Sequence, residues 1–183
     1  RRKGHRCHLF QQALHGGTGG ADYATTFTED LGAVGIADAD ATLSDVDTTN
    51  LTSLTVTITN LLDGASEVLA ANTGGTSIVA NYNSGTGVLT LSGADTVANY
   101  QSVLRTVTYD NSSQNPNTTA RVITFVANDG TDPSNVGTTT VTMVAQNDAP
   151  VLDLDADDSS WTGGADYATT FTEDLGAVGI ADA

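Results

Sequence analysis

Four acidic clusters carry the chemistry open to this chain: Thr28-Glu29-Asp30, Ser44-Asp45-Val46-Asp47, Asn128-Asp129-Gly130 and Asn147-Asp148. All of them offer oxygen. From Thr18 onward the sequence contains neither histidine nor cysteine, so the nucleophile–base pairs that depend on imidazole or thiolate have no members there. Paired carboxylates can also hydrolyse glycosides, but that needs a cleft with sugar platforms and an acid of raised pKa. Aromatic residues make up only 5% of the chain, and no such cleft is signalled. The expectation is a protein that is not an enzyme. Clustered carboxylates are well suited to a hard divalent cation, because calcium takes about 6–8 oxygen ligands and D-x-D presents two carboxylates from one short segment. The competing reading of each acid is a solvated surface carboxylate, and for Asp129 a turn at Asp-Gly. Asp153, Asp155, Asp157 and Asp158 form a further acidic run, without the glycine and terminal glutamate of an EF-hand loop.

Charge points the same way. The chain has 183 residues, 6 Lys+Arg and 22 Asp+Glu, for a net charge of −16. The positive charge is concentrated at the start, in Arg1, Arg2, Lys3 and Arg6, and that segment contains no acid. From Thr18 onward only Arg105 and Arg121 oppose the 22 acids (2 − 22 = −20). So acidic a region disfavours nucleic acid, whose binding depends on basic side chains that release counterions. It equally disfavours an anionic membrane surface. Self-repulsion on this scale is relieved by salt or by bound cations, which makes divalent cations the first partners to consider. No apolar run approaches the ~18 residues of a membrane span, and the basic start lacks the apolar stretch of a signal peptide.

The acidic clusters sit within a repeat. Thr18 to Ala39 and Thr162 to Ala183 are identical over 22 residues, at an offset of 144 (162 − 18). The chain reads as a window on a tandem array of whole domains, since solenoid repeats are only ~20–50 residues long. Three segments are expected: a foreign or disordered flank at 1–17, one unit at 18–150, and the truncated start of an identical unit at 151–183. Cys7 to Gly17 of the flank, CHLFQQALHGG, shares no pattern with Val151 to Trp161, VLDLDADDSSW, which the offset would place against it. The flank's His5, Cys7, His8 and His15 match no compact zinc spacing.

The unit itself reads as all-β. Leu51 to Asn60 alternates, with Leu54, Val56 and Ile58 on one face and threonines on the other. Further strands are expected at Thr25–Thr28, Glu67–Ala70, Ser77–Tyr82, Val88–Leu91, Val103–Tyr109, around Ile123–Ala127 and around Val141–Met143. Asn83 to Gly87 has hairpin-turn composition. Val97, Tyr100 and Leu104 are spaced as in a short helical turn, capped by Asp95 or Thr96. Seven to nine short strands in ~130 residues call for a two-layer β-sandwich, because a single open sheet leaves a face unburied. Its core should centre on Leu54, Val56, Ile58, Leu91, Leu104, Val107, Ile123, Phe125 and Val141. Trp161 should pack inside the second unit or at the junction, and the boundary falls at Gln146 to Pro150, where proline interrupts the ladder.

Taken in order, these motifs resemble the cadherin-like repeats of large bacterial surface and secreted adhesins. The acidic pair follows the first strand, D-x-D precedes the TVTI strand, NDG follows a late strand, and NDAP forms a linker. The resemblance spans about Thr18 to Pro150 and implies an immunoglobulin/cadherin-like β-sandwich. It further implies calcium held between successive units by Glu29, by Asp45 and Asp47, and by Asn147 and Asp148 of the linker, with Asp129 a further match. The QNDAPV linker is shorter in oxygen ligands than the animal D-x-N-D-N-x-P form. Each interdomain site is half built in this window, so weak calcium binding is expected. The implied function is an extracellular, calcium-stiffened stalk in cell adhesion. Its partners would be neighbouring repeats and a host-cell or matrix surface. A carbohydrate-binding module and an accessory domain of a secreted hydrolase are the alternatives.

Overall fold

The computed structural model describes residues 8–10, 22–154 and 168–180. Cys7, Asp155, Asp157, Asp158, Trp161 and most of segment 1–17 lie outside them. The chain divides into two compact units, Arg1–Gln146 and Asn147–Ala183.

The first unit is a β-sandwich. Its strands are β1 (His8–Phe10), β2 (Asp22–Thr28), β3 (Val34–Gly35), β4 (Thr42–Ser44), β5 (Asn50–Ile58), β6 (Glu67–Ala70), β7 (Val79–Asn83), β8 (Val88–Thr96), β9 (Thr108–Asn111), β10 (Arg121–Asn128) and β11 (Gly137–Val144). Six form one mixed sheet in the order β2-β11-β10-β5-β8-β7, and three form the other, β3-β9-β6. A separate pair joins β1 to β4. All pairings are antiparallel except β2 with β11, which runs parallel.

Period-two alternation builds the core. On β10, Ile123, Phe125 and Ala127 point inward beside Leu54, Val56 and Ile58 of β5, and Leu89 and Leu91 of β8 continue the layer. All nine expected core residues are buried. Phe27 of β2 meets Tyr109 of β9 edge-on, with ring centroids 5.5 Å apart and planes at 88°. Such a contact suits the positive edge of one ring against the negative face of the other, and it ties the two sheets together. The outer face of the large sheet is mostly uncharged, with Thr138, Thr124, Thr57 and Val88 in one cross-strand row.

The helical signal extends further than one turn, and the following strand starts later than its alternation suggested. Helix α1 spans Val97–Leu104 and buries Tyr100, Val103 and Leu104, and the Thr96 side chain accepts the Asn99 N–H as its N-cap. Val103 is therefore helical, not part of a strand from Val103 to Tyr109. The i, i+3, i+4 spacing of Tyr100, Val103 and Leu104 lays all three on one helix face, and β9 begins at Thr108. The strands β3 and β4 are too short to leave a periodic signal.

In the second unit, residues 168–180 form no strand. They do repeat the local turn of the first copy. Asp30 and Gly32 have φ of 63° and 81°, and Asp174 and Gly176 have 69° and 91°. Leu31 N–H donates to Thr28 O at 3.2 Å, as Leu175 N–H does to Thr172 O at 3.3 Å.

Candidate metal centre

Asp45 and Asp47 lie on the loop between β4 and β5, and Asp129 follows the last residue of β10. Strand pairing brings these loops together, because Ser53 of β5 is registered opposite Asn128 of β10. The result is an acidic triad: ligand oxygens of Asp45, Asp47 and Asp129 all lie within 4.8 Å of one another.

Each loop is shaped by its own carboxylate. Asp45 Oδ1 accepts the N–H groups of Asp47 at 3.2 Å and Thr48 at 3.3 Å. Asp129 Oδ1 accepts those of Thr131 at 2.6 Å and Asp132 at 2.8 Å. Asn128 Oδ1 accepts Gly130 N–H at 2.6 Å, with Gly130 at φ 104°, a conformation open to glycine without strain. The turn and metal readings of Asp129 are thus compatible in one residue. Burial acts to raise the Asp45 pKa, but the hydrogen bonds from Asp47 and Thr48 outweigh it and hold the group below the usual aspartate value. It is therefore ionised at neutral pH. Asp45 Oδ2 is buried and has no hydrogen-bond partner. Burying an unsatisfied oxygen costs about 1–3 kcal/mol, and more when it is charged.

Glu29 occupies the other pole. Thr28 is registered opposite Val144 of β11, whereas Arg121 at the start of β10 is opposite Val141. Glu29 therefore lies past the Arg121 end of β10, and Asp129 past the Asn128 end. Eight residues at ~3.3 Å each put the two poles roughly 25 Å or more apart. Glu29 is 1% exposed. Its N–H donates to Val144 O at 2.9 Å, and its Oε2 accepts the Gln146 N–H at 2.8 Å. Its Oε1 is the second buried, unpartnered side-chain oxygen among the described residues. Asn147 and Asp148, in the second unit, are exposed, and Asn147 Nδ2 donates to Asp148 O at 3.1 Å.

The sequence reading missed a buried ionic network. Arg121 and Glu67 are both 0% exposed and pair across the two sheets through Arg121 Nε and Glu67 Oε1. Arg121 Nη2 also meets Asp63 Oδ2 at 2.6 Å. Glu67 Oε1 accepts from Tyr109 Oη at 2.8 Å, and Oε2 accepts the N–H groups of Leu62 and Asp63, both at 2.8 Å. The Tyr109 pKa is pushed up by burial and then by Glu67, so the phenol stays a donor. A signal for this network did exist. Arg121 is in phase with Ile123, Phe125 and Ala127, and Glu67 is in phase with Leu69, so alternation alone points both charges inward. A shallow polar depression beside this network is lined by Asp63, Asn115, Asn117 and Thr118, but its one carboxylate already serves Arg121, Asn111 and Asn117.

No helix among the described residues is long and apolar enough to cross a membrane. Comparison of the chain with protein-family models, curated proteins and solved structures finds no match, so the chemistry of the site is read from its geometry.

Proposed function

We propose that this chain is a non-catalytic spacer module of a secreted or cell-surface protein. It would be built, like the cadherin-like repeats it resembles, from tandem β-sandwich units joined through calcium. The observation that carries the reading is the triad of Asp45, Asp47 and Asp129 with an orphaned, buried Asp45 oxygen. Three carboxylates on two loops supply three to six oxygens depending on denticity, against the 6–8 that calcium takes. Water or a neighbouring unit completes the shell. An ion there would neutralise three mutually repelling charges and partner the Asp45 oxygen. Glu29, held against the exit of β11 at the opposite pole, would contribute to the next joint, with Asn147 and Asp148 of the linker. Attachment to a host-cell or matrix surface would belong to the assembled protein.

The test is calorimetric titration of the 183-residue chain with calcium, with magnesium as control. Weak binding is expected, at about 10⁻⁴–10⁻³ M, and a paired Asp45→Asn, Asp47→Asn substitution should weaken it at least tenfold. Magnesium, which demands tight octahedral geometry and gives up water reluctantly, should bind less well. Equal calcium affinity in the substituted chain would sink the proposal, as would no calcium binding at all.

A further inference from the structure

Strand β4 stands apart from both sheets. The Leu43 side chain is buried in the core, and its N–H donates to Gln101 Oε1 on α1 at 2.9 Å. That hydrogen bond closes one edge of β4, and the other edge carries a strand. The occupant is β1, antiparallel, with His8, Leu9 and Phe10 opposite Ser44, Leu43 and Thr42. This strand comes from a segment that shares no sequence pattern with the repeat. The 144-residue offset places Leu152–Leu154 at the position equivalent to His8–Phe10.

The segment at the equivalent position carries the sequence pattern of a strand. Val151, Leu152 and Leu154 are 93%, 73% and 38% exposed, and Leu-Asp-Leu-Asp alternates apolar with charged residues, as in a strand with one buried face. We infer that Val151–Leu154 is the native partner of β4: where the unit is repeated in tandem, this segment, which opens a unit, pairs with the β4 edge of that same unit further along the chain. Residues directly opposite each other share a face of the ladder, and a one-residue slip moves every side chain to the other face. Strict transfer of the offset would set Asp153 opposite the buried Leu43. The segment therefore seats one residue away from that alignment, with Leu152 or Leu154 opposite Leu43 and Asp153 facing outward. Main-chain bonds along the edge supply the affinity, and the leucine supplies the register. The inference rests on the tandem reading but not on calcium.

The probe is the peptide APVLDLDA, residues 149–156, titrated in EGTA into the isotope-labelled 183-residue chain carrying Phe10→Pro, which removes a ladder donor opposite Thr42 from the resident strand. Saturable NMR shifts are expected at Thr42, Leu43 and Ser44. A peptide with Leu152→Asp and Leu154→Asp should lose them, and one with Asp153→Lys should keep them. Should the Phe10 substitution unfold the domain, the unsubstituted chain gives the same pattern with weaker affinity, because the peptide must displace β1. The inference is overturned by absence of shifts in both chains, or by equal binding of the double-aspartate peptide. Loss of binding with Asp153→Lys alone overturns the register. If the 183-residue chain instead self-associates through this segment, abolished by Leu152→Asp, the occupant is a second copy and the same-chain assignment fails.

Discussion

At the scale of single residues, the molecule separates charges that are paired from charges that wait for a partner. Arg121 belongs to the first kind. Its guanidinium meets Glu67, Asp63 and the carbonyls of Asn117 and Thr119, and Glu67 in turn accepts from a phenol and two backbone N–H groups. Desolvating two ions is costly, and only full hydrogen bonding of both offsets it. Removing one partner strands the other. Arg121→Met should therefore lower stability by about 3–5 kcal/mol, read from the midpoint of urea unfolding at unchanged slope. A loss below about 1 kcal/mol, within the range of exposed pairs, would show that water reaches Glu67. Glu29 and Asp45 are of the second kind. Each has one carboxylate oxygen engaged by backbone donors and the other buried without one.

At the scale of elements, the passage from β8 into α1 is fixed by both backbone geometry and side-chain hydrogen bonds. Gly93 lies in β8 with φ 132°, and a Cβ built there would stand 2.5 Å from Ser77 O, closer than atoms can pack. Its own carbonyl accepts the Tyr100 hydroxyl at 2.7 Å. The Tyr100 pKa is pushed up to about 12, by burial and then by Asp95, which keeps that proton in place. Asp95 binds the N–H groups of Ser77 and Thr96 and the side chain of Asn99, fastening strand, cap and helix together. Gly93→Ala should cost about 2 kcal/mol or more through backbone strain alone, seen as a fall in Tm by differential scanning calorimetry. An unchanged Tm would mean that the β7–β8 edge yields without penalty.

At the scale of the whole molecule, net charge dominates. A repeat region of −20 repels itself, and most of the acids among the described residues lie outside the strands, while the outer face of the large sheet carries mostly threonine and valine. The triad sits past one end of β10 and Glu29 past the other, so a cation-bridged chain would bind at both poles of each unit. Small-angle scattering of two complete tandem units should show an increase in maximum dimension on adding calcium and its reversal by EGTA. Sodium chloride at matched ionic strength should not reproduce it, since screening weakens repulsion without ordering a joint. Scattering curves that superimpose with and without calcium would leave the acids as surface charge.

The two copies of one 22-residue sequence separate what is local from what is not. Both form the same turn, with aspartate and glycine at positive φ and the same backbone hydrogen bond, because those choices depend on neighbours a few residues away. Period-two alternation likewise made most of the strands and the core from Leu54 to Val141 legible, since burial of one face has a period that can be read directly. Three-and-four spacing did so for a capped helical turn, though not for the helix's full length to Leu104. Tertiary structure decided the rest. Phe27 is 1% exposed and Phe171 is 66% exposed, although their flanking sequences are identical. Phe27 has β11 beside it, and residues 168–180 take no strand partner. Pairing between distant segments also chose the triad: Asp45 and Asp47 were visible as a motif, but only the register of β5 against β10 brings Asp129 to them. The same long-range pairing set Arg121 on Glu67. A sequence displays its periods and its turns, and it leaves hidden which distant strand will supply the other half of a hydrogen-bonded ladder.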